Sequence, residues 1–478
     1  MGISFKLLSL ALVLSFVALL APADMTRAGT LSLTTNGPSE TDWTAYEDMA
    51  VDLMRQYLRI NTSNPPGHEL ETAAFLKSIL DREGIPNQVF EYLPGRANII
   101  ARIKGDGSKR PIILLSHMDV VTADPAMWRV DPFSATILDG SIYGRGALDM
   151  KSIGLLDLMT MIILAREKPH LSRDVIFLAT ADEEVGDSGS IWMIANKSEL
   201  FKDAEYLITE GGDNLREGDE VRYIGVDVAE KAPYWLTLTA TGEPGHGSRP
   251  IADSAPNRLA RAMFKIVEYQ TPIQVLPAVE RFFRDIAPLQ PPELRTKFLD
   301  VKDAIKDPEF LKYISSKREY NYLFRNTIAL TMMSGSRQTN VIPNSASCSL
   351  DIRLLPGQDP TAFLSEIQSV IGDPTIKIEN VNGFKPPNSS PIDTDLFRTI
   401  SEVEKTHYPS AIVTTRLLSG YTESQLYRAL GIVAYGWSPI ATTTEENQGV
   451  HGNNERITVA NVRSGTRETY EVVSQVAR

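Results

Sequence analysis

Residues 174–184 read DVIFLATADEE, an apolar run of strand length that ends directly on acidic side chains. Residues 111–119 (PIILLSHMD) and residues 204–212 (AEYLITEGG) repeat this arrangement, and an apolar helical stretch, KSIGLLDLMTMIILARE, occupies residues 151–167. Continuous apolar strands that alternate with helices are typical of a parallel sheet covered on both faces. The pattern therefore predicts an α/β fold with a mostly parallel sheet.

The pattern changes near residue 231, where apolar and polar residues begin to alternate within the strands. The order over residues 231–382 is strand-helix-strand-strand-helix-strand, which predicts an α+β unit of the ferredoxin-like type. Residues 271–324 interrupt this unit with an extra segment that is helical and polar. Helix and strand patterns of the first kind return afterwards. We therefore predict a catalytic domain, residues 44–230 and 383–478, into which a lid or dimerisation domain is inserted.

The composition argues against some classes of partner. The chain has 478 residues and a formal net charge of −12. This charge argues against nucleic acid and anionic membranes as partners, because phosphate groups are bound by basic surfaces; solubility is its simplest explanation.

Cys348 is the only cysteine, which excludes an intrachain disulfide. It lies in an alternating strand pattern and is expected to be a buried, unreactive thiol.

The N-terminus has the pattern of a targeting segment. Residues 7–21, LLSLALVLSFVALLA, form an apolar run behind Lys6, and small residues follow at 21–23. A run of this length is short for a membrane span and typical of a secretory signal peptide. We predict that residues 1–28 are such a signal, with an uncleaved anchor as the alternative. The mature protein is then secreted or periplasmic and carries no stable membrane anchor.

The predicted strand ends carry groups that bind metal ions. His117 and Asp119 lie two residues apart, so their side chains point to the same side of a strand, and an aspartate beside a metal-binding histidine commonly orients its ring. Further candidates follow other strands or lie in loops: Asp149, Glu183, Glu184, Glu210 and His451. Two histidines and three acids from this set suit two zinc ions that share a carboxylate.

Eight short motifs stand in the order seen in one family: SHMDVV, YGRGALDMKS, TADEEVG, ITEGG, GHGSRP, NVIP, DIR and VHGNNE. The chain resembles the co-catalytic zinc metallopeptidase and amidohydrolase family of aminoacylase, glutamate carboxypeptidase and succinyl-diaminopimelate desuccinylase. The resemblance runs from about residue 44 to residue 478. The chain is most similar to the long branch, with carboxypeptidase S and the secreted N-fatty-acyl-amino-acid hydrolases.

The resemblance assigns a role to each candidate ligand. It implies that Asp149 bridges two Zn2+ ions per subunit, for which Co2+ or Mn2+ can substitute. His117 and Glu210 complete one metal site, and Glu184 and His451 complete the other. The resemblance also implies a cis peptide bond after Asp149.

The same resemblance makes Glu183 the general base and Asp119 the partner that orients His117. Residues 186–189, GDSG, also look like the turn around a serine-protease nucleophile. A nucleophilic serine needs a histidine, an aspartate and an oxyanion hole, on a fold that the α/β pattern does not supply. We therefore predict that the glutamates, and not Ser188, carry the chemistry.

Substrate-binding residues are implied for the inserted domain. His246 resembles the family's oxyanion donor, which the partner subunit supplies in dimeric members. Arg353 and Asn340 resemble residues that hold the substrate's free carboxylate, a group that arginine binds through two hydrogen bonds. Residues 419–424 read SGYTES where relatives often have Gly-Gly-Ser/Thr-Asp. Gly420 is assigned to substrate binding, and the bulky tyrosine beside it leaves side-chain specificity open.

The resemblance implies a secreted dinuclear zinc hydrolase that cleaves an amide bond next to a free carboxylate, with metal-bound hydroxide as the nucleophile. Its substrate is a small peptide or an N-acyl amino acid. Dipeptidase or carboxypeptidase activity is the first expectation, aminoacylase activity the alternative, and a catalytically silent binding protein the remote alternative. Closure of the inserted domain about hinges near residues 229–232 and 380–386, in a monomer or a homodimer, is expected to complete the site.

Overall fold

The computed structural model describes residues 41–383 and 388–478, and the predicted signal peptide lies outside them. Within this part of the chain, no helix combines the length and hydrophobicity needed to cross a membrane. A ten-stranded sheet and a five-stranded sheet organise the described residues.

The first part of the chain supplies most of the ten-stranded sheet and several of its covering helices. Its elements are α1 (Trp43–Leu58), α2 (Glu69–Arg82), β1 (Asn87–Leu93), β2 (Arg96–Ile103), β3 (Ile112–His117), β4 (Thr136–Leu138), β5 (Ser141–Tyr143), α3 (Lys151–Glu167), β6 (Val175–Thr180), α4 (Ser188–Lys197), β7 (Tyr206–Thr209), β8 (Asn214–Glu217) and β9 (Glu220–Glu230).

The middle of the chain contains the five-stranded sheet and a group of short helices. Its elements are β10 (Ala232–Pro233), β11 (Leu236–Thr241), β12 (Gly245–His246), α5 (Ala255–Glu268), α6 (Pro277–Ile286), α7 (Pro292–Leu299), α8 (Val301–Ala304), α9 (Pro308–Ser316), α10 (Arg318–Asn321), β13 (Thr327–Ser334), β14 (Val341–Ile342), β15 (Ser345–Leu354), α11 (Pro360–Ile371) and β16 (Lys377–Asn380).

The last part of the chain returns to the ten-stranded sheet. Its elements are α12 (Asp395–His407), β17 (Ile412–Leu418), α13 (Ser424–Arg428), β18 (Val433–Gly436), β19 (Ala441–Thr442), α14 (Thr444–Asn447), β20 (Arg456–Thr458) and α15 (Val459–Ala477).

The centre of the ten-stranded sheet is parallel, as predicted. Its neighbours β6, β3, β7 and β18 pair in parallel, whereas β1 and β2 add antiparallel strands at one side. Alternate residues of β3 enter different hydrophobic clusters: Ile112 and Leu114 pack with α3, and Ile113 and Leu115 pack on the opposite face. Both faces are therefore buried, which explains why these strands read as continuous apolar runs.

The five-stranded sheet has the ferredoxin-like order that the sequence predicted. Strands β13, β15, β11 and β16 are neighbours in that order, and all their pairings are antiparallel. Helices α5 and α11 cover this sheet, with Leu259 and Ile367 in its hydrophobic core. Cys348 lies in the same core as a free, buried thiol.

Helices α6 to α10 pack differently from what their sequence position indicates. Their aromatic side chains Phe283, Phe298 and Phe310 are buried in the core of the ten-stranded sheet. Thr415 of β17 also donates a hydrogen bond to the backbone oxygen of Ala278 at 2.8 Å. The prediction of a polar segment within the inserted unit is therefore corrected: the segment has an apolar face, and that face lies on the first sheet.

The chain passes between the two sheets at two places. Strand β9 ends at Glu230 and β10 begins at Ala232. After β16 ends at Asn380, Ser389 forms an isolated bridge with Ala229 beside the first sheet. Both passages lie where the sequence predicted hinges, and part of the second prediction falls outside the described residues.

Candidate active site

The expected metal ligands meet at the carboxyl edge of the parallel strands. His117, which is fully buried, ends β3. Glu183 and Glu184 follow β6, and Glu210 follows β7. Because β3 runs parallel to both β6 and β7, these carboxyl ends lie side by side, where open α/β sheets bind their ligands.

Asp149 lies between the two histidines of the predicted ligand set. Its Oδ1 is 3.1 Å from His117 Nε2, and its Oδ2 is 3.0 Å from His451 Nε2. His451 Nε2 is also 3.1 Å from Glu184 Oε2. On the other side, His117 Nε2 is 3.8 Å from Glu210 Oε2. One carboxylate thus faces both histidines through separate oxygens, and each histidine has a glutamate beside it.

These side chains fit divalent metal ions. Ligand atoms of His117, Asp149 and Glu184 lie within 4.8 Å of one another, and so do those of His117, Glu183 and Glu210. Glu184 Oε1 is buried and has no hydrogen-bond partner among the described residues, which is costly for a carboxylate unless a cation is nearby. Imidazole nitrogens and carboxylate oxygens are common zinc ligands.

The cluster contains more acidic than basic side chains, and the pKa values of several of these groups are raised. Burial, assisted by the charge of Glu210, raises the pKa of Glu183 well above its usual range. Burial also raises the pKa of Glu210 to about 7. Hydrogen bonds to Asp149 and Glu184 raise the pKa of His451 to about 10. Carboxylates crowded in a buried site favour bound protons or bound cations over free anions.

Asp119 forms hydrogen bonds with the backbone of the two glutamates that follow β6. Its carboxylate accepts hydrogen bonds from the backbone N–H groups of Glu183 (3.1 Å) and Glu184 (3.2 Å) and from Asn64 Nδ2 (2.8 Å). The Nδ1 of His117 lies 3.0 Å from the backbone oxygen of Asp119 and 3.6 Å from its carboxylate. Asp119 therefore positions the glutamates as well as the histidine. Asn64 is a contributor that the motifs did not reveal.

Glu455 holds the loop that carries Asp149. It is fully buried, and its carboxylate accepts hydrogen bonds from the backbone N–H groups of Leu148 (2.7 Å) and Asp149 (3.0 Å) and from Arg145 Nη1 (2.6 Å). The peptide bond after Asp149 is cis, which confirms that prediction. Sequence reasoning gave Glu455 no role, although it ends the motif VHGNNE that contains His451.

Glu183 lines a cavity of about 420 Å³ together with Arg353 and Tyr421. The guanidinium of Arg353 is held by Asp351, with Nε 2.8 Å from Oδ1. The structure thus brings the predicted base and the predicted carboxylate-binding arginine into one cavity. Among the described residues of this wall, Tyr421 is present and its neighbour Gly420 is not.

His246 and Asn340 lie apart from this cavity. His246 is exposed in the short strand β12, and its Nδ1 is 2.7 Å from Ser248 Oγ. Asn340 precedes β14, the partner of β12, and its backbone oxygen accepts a hydrogen bond from the Gly247 N–H at 2.8 Å. The described residues that line the cavity of Glu183 include neither of them. The two residues therefore form a separate, exposed pair on the middle part of the chain.

Glu423 is the acidic residue of the stretch SGYTES, residues 419–424. It is buried, and Thr180 Oγ1 donates a hydrogen bond to its Oε2 at 2.8 Å. Thr180 is the last residue of β6, and Glu183 follows it in the loop after this strand. Burial raises the pKa of Glu423 to about 8. The buried carboxyl group of Glu423 raises the pKa of Glu183 further.

Ser188 has the surroundings of a structural residue. It is the first residue of α4, and its hydroxyl is hydrogen-bonded to Asp182 and to Tyr92. Among the described residues, its hydrogen-bond partners include no histidine. A serine nucleophile needs such a base within hydrogen-bond distance, so the geometry agrees with the prediction that Ser188 is not the nucleophile.

Comparison with known proteins gives one consistent result. A family model described as Peptidase family M20/M25/M40 matches residues 113–475. The N-fatty-acyl-amino acid synthase/hydrolase of Xenopus tropicalis is 28% identical over 430 residues, 85% of this chain and 82% of that protein. Aminoacylase-1A of Rattus norvegicus is 28% identical over 436 residues, 89% of this chain and 93% of that protein. The crystal structure of an M20 family metallo-carboxypeptidase from Sulfolobus solfataricus aligns with a TM-score of 0.67 at 21% identity, over 89% of this chain and 98% of that chain.

Proposed function

The chain belongs to peptidase family M20/M25/M40 and is a hydrolase, and we propose that it uses two zinc ions to cleave an amide or peptide bond next to a free carboxylate. The observation that carries this proposal is the position of Asp149, whose two oxygens face His117 and His451 separately. A carboxylate in this position is suited to bridge two metal ions.

The proposal assigns the ligands to two metal sites that share Asp149. His117 and Glu210 would complete one site, and Glu184 and His451 would complete the other. Imidazole and carboxylate ligands suit zinc, and Co2+ or Mn2+ suits the same groups. When bound, such ions lower the pKa of water to about 7 and polarise a carbonyl oxygen.

Glu183 is the residue that moves protons in this proposal. Its Oε2 lies 4.0 Å from His117 Nε2, at the edge of the ligand cluster, and its side chain lines the cavity that contains Arg353. It accepts a proton from the attacking water and delivers that proton to the nitrogen of the leaving amine. Asp119 keeps Glu183 in place through the hydrogen bond to its backbone N–H.

Arg353 binds the free carboxylate of the substrate. It shares a cavity with Glu183, so a carboxylate on the guanidinium directs the neighbouring amide towards the base. Arginine binds this group through two charge-assisted hydrogen bonds. Asp351 fixes the guanidinium from one side, which reduces the conformational freedom that substrate binding must remove.

His246 is proposed to stabilise the developing oxyanion, and Asn340 to assist in holding the carboxylate. Both residues are exposed in the structure. The inserted unit therefore has to close over the metal ligands, or a homodimer has to supply these residues from the partner subunit. The hinges for closure are the two passages between the sheets, near residues 229–232 and 380–386.

N-acyl amino acids are a second candidate class of substrate beside small peptides. The names of two relatives favour them: aminoacylase, and N-fatty-acyl-amino acid synthase/hydrolase. Both classes present an amide nitrogen one carbon away from a free carboxylate, so the same base, ligands and arginine serve both.

We also propose that the protein acts outside the cytoplasm after removal of residues 1–28. The support is the apolar run and the small residues that follow it. N-terminal sequencing of the exported protein tests this proposal. A mature chain that begins near residue 29 is expected, and a retained leader would identify a membrane anchor instead.

A substrate panel combined with metal analysis tests the catalytic proposal. We expect hydrolysis of dipeptides or N-acyl amino acids with a free carboxylate, and little hydrolysis of the same compounds amidated at that carboxylate. A chelator should abolish the activity and added zinc should restore it. Activity that survives complete removal of metal would refute the proposal.

A further inference from the structure

The cluster of metal ligands lies between two cavities. Glu183 and Glu184 line the cavity that contains Arg353, whereas Asp149 and Glu210 line a second cavity of about 270 Å³. A substrate whose amide lies at the cluster can therefore extend in two directions. Its carboxylate side lies towards Arg353, which leaves the second cavity for its acyl side.

The second cavity adjoins a larger space, which we call the helical chamber. Arg416 and Asp213 line both the second cavity and this chamber of about 410 Å³ beneath the helices of residues 271–324. The volume falls within the usual range of small-molecule sites. Much of the remaining wall is apolar or aromatic and includes Val279, Phe282, Ile286, Leu289, Tyr322 and Leu323.

Arg416 and Asp213, the two residues that line both the second cavity and the helical chamber, form an ion pair. Arg416 Nη1 lies 3.2 Å from Asp213 Oδ2, and Tyr223 OH donates a hydrogen bond to the same oxygen at 3.0 Å. Gly225 on the neighbouring strand β9 leaves space for the Arg416 side chain, because a Cβ at Gly225 would lie 2.2 Å from Arg416 Cδ. The Arg416 side chain therefore lies in a fitted position. A substrate chain that enters the chamber has to displace it.

We infer that the helical chamber receives the far end of a long, unbranched apolar acyl chain of the substrate, and that the pair of Arg416 and Asp213 is the neck through which this chain passes. The inference rests on the proposed function, because it requires the amide at the metal ligands and the carboxylate at Arg353. It favours N-acyl amino acids with long chains over dipeptides. A short acyl group ends in the second cavity and leaves the chamber unused.

Burial of apolar surface sets the size of the expected effect. Each methylene group that moves from water to an apolar wall improves binding by about fourfold. The value of kcat/KM should therefore rise steeply with acyl length once the chain is long enough to pass the neck.

Filling the helical chamber tests the inference. Leu289→Trp enlarges a side chain of the chamber wall, and Leu299→Trp is the matched control in α7 of the same segment, outside that wall. The ratio of kcat/KM for an N-palmitoyl amino acid to that for its N-acetyl counterpart should fall by about tenfold or more in Leu289→Trp. It should stay at the wild-type value in Leu299→Trp. Gln290→Trp, which fills the adjacent wall, should reproduce the loss and replaces Leu289→Trp if that variant does not fold.

Two results would overturn the inference and leave the proposed function intact: unchanged ratios in the chamber variants, or a wild-type enzyme that hydrolyses N-acetyl but not N-palmitoyl amino acids. If the wild type hydrolyses no amide, the proposed function fails. Calorimetric binding of palmitate then decides whether the chamber binds an alkyl chain, and equal affinity in Leu289→Trp and Leu299→Trp rejects it. In an active enzyme, Leu289→Trp can weaken palmitate binding and still leave the ratio of kcat/KM for N-palmitoyl and N-acetyl substrates unchanged. This result would identify the chamber as a separate lipid site and reject it as the site of the acyl chain.

Discussion

Two buried groups of acids in this protein have different surroundings. At the strand ends, the acids face two histidines and line two cavities. Between α12 and α15, Glu404 accepts a hydrogen bond from Trp437 Nε1 at 2.9 Å, and Glu468 accepts one from Tyr408 OH at 3.0 Å. Both of these glutamates are fully buried, and each has a second oxygen without a hydrogen-bond partner among the described residues.

The two groups differ in what lies beside the buried carboxyl groups. Burial raises the pKa of Glu468 to about 7, and burial together with the charge of Glu468 raises the pKa of Glu404 well above its usual range. Burial and the neighbouring carboxyl group therefore favour the protonated forms of these two glutamates, which we call the helical pair. The strand-end group instead has two histidine nitrogens within 3.1 Å of one carboxylate and lies beside two cavities, an arrangement that suits a catalytic metal site.

Removal of Asp149 should have the largest effect, because the two proposed metal sites share it. In Asp149→Ala we expect loss of zinc from both sites and a fall in turnover beyond the ~10²–10⁴-fold expected for loss of a general base alone. Elemental analysis and kcat measure these effects. Glu404→Gln is the matched control, since it removes a buried carboxylate from the helical pair, and it should retain both ions. Full zinc occupancy in Asp149→Ala would show that Asp149 is not a shared metal ligand, and the strand-end acids would then not differ from the helical pair in the way described.

Arg353→Ala should have a smaller effect than Asp149→Ala. Loss of a charge-assisted pair should weaken binding of substrates with a free carboxylate by ~2–4 kcal/mol. The amidated substrates should lose little, because they do not offer the carboxylate. The ratio of kcat/KM values for the two kinds of substrate reports the difference, and Arg337→Ala, an exposed arginine of the same unit, serves as the control. An equal loss on amidated substrates would remove Arg353 from carboxylate binding.

Glu404→Gln should change the pH dependence of stability and leave activity intact. A carboxyl group whose pKa is raised on folding binds more protons in the folded protein. The free energy of unfolding therefore falls as the pH rises from the unfolded value of about 4.3 through the folded value. Between about pH 5 and about pH 8, the Tm of the wild type should fall more than that of Glu404→Gln. Glu402→Gln, on the exposed side of α12, should follow the wild type, and identical curves for all three proteins would contradict the account.

Ser188→Ala should have the smallest effect. It removes the hydrogen bonds of the hydroxyl to Asp182 and Tyr92, each of which contributes about 0.5–1.5 kcal/mol to stability. Activity should remain within a few-fold of the wild type, and serine-directed reagents should not inhibit. Covalent labelling of Ser188 together with loss of activity would restore the serine hypothesis.

The sequence predicted the parts of the fold and site that depend on local pattern. The apolar runs before His117 and Glu183 identified strands that end at one sheet edge, and motif order pointed to candidate ligands that the structure brings together. Contacts between distant segments were not predictable in this way. Glu455 binds the Asp149 backbone across 306 positions, and Asn64 reaches Asp119 across 55. Likewise, the periodicity of residues 271–324 predicts helices but does not specify which sheet they cover.

The central claim is that Glu183 is a base beside two metal ions and is not itself a metal ligand. Glu183→Gln tests it most directly, because glutamine keeps the size of the side chain and removes the proton acceptor. We expect zinc content at the wild-type level of two ions per chain, with kcat lower by ~10²–10⁴-fold. Turnover within a few-fold of the wild type, or loss of zinc together with activity, would contradict the account.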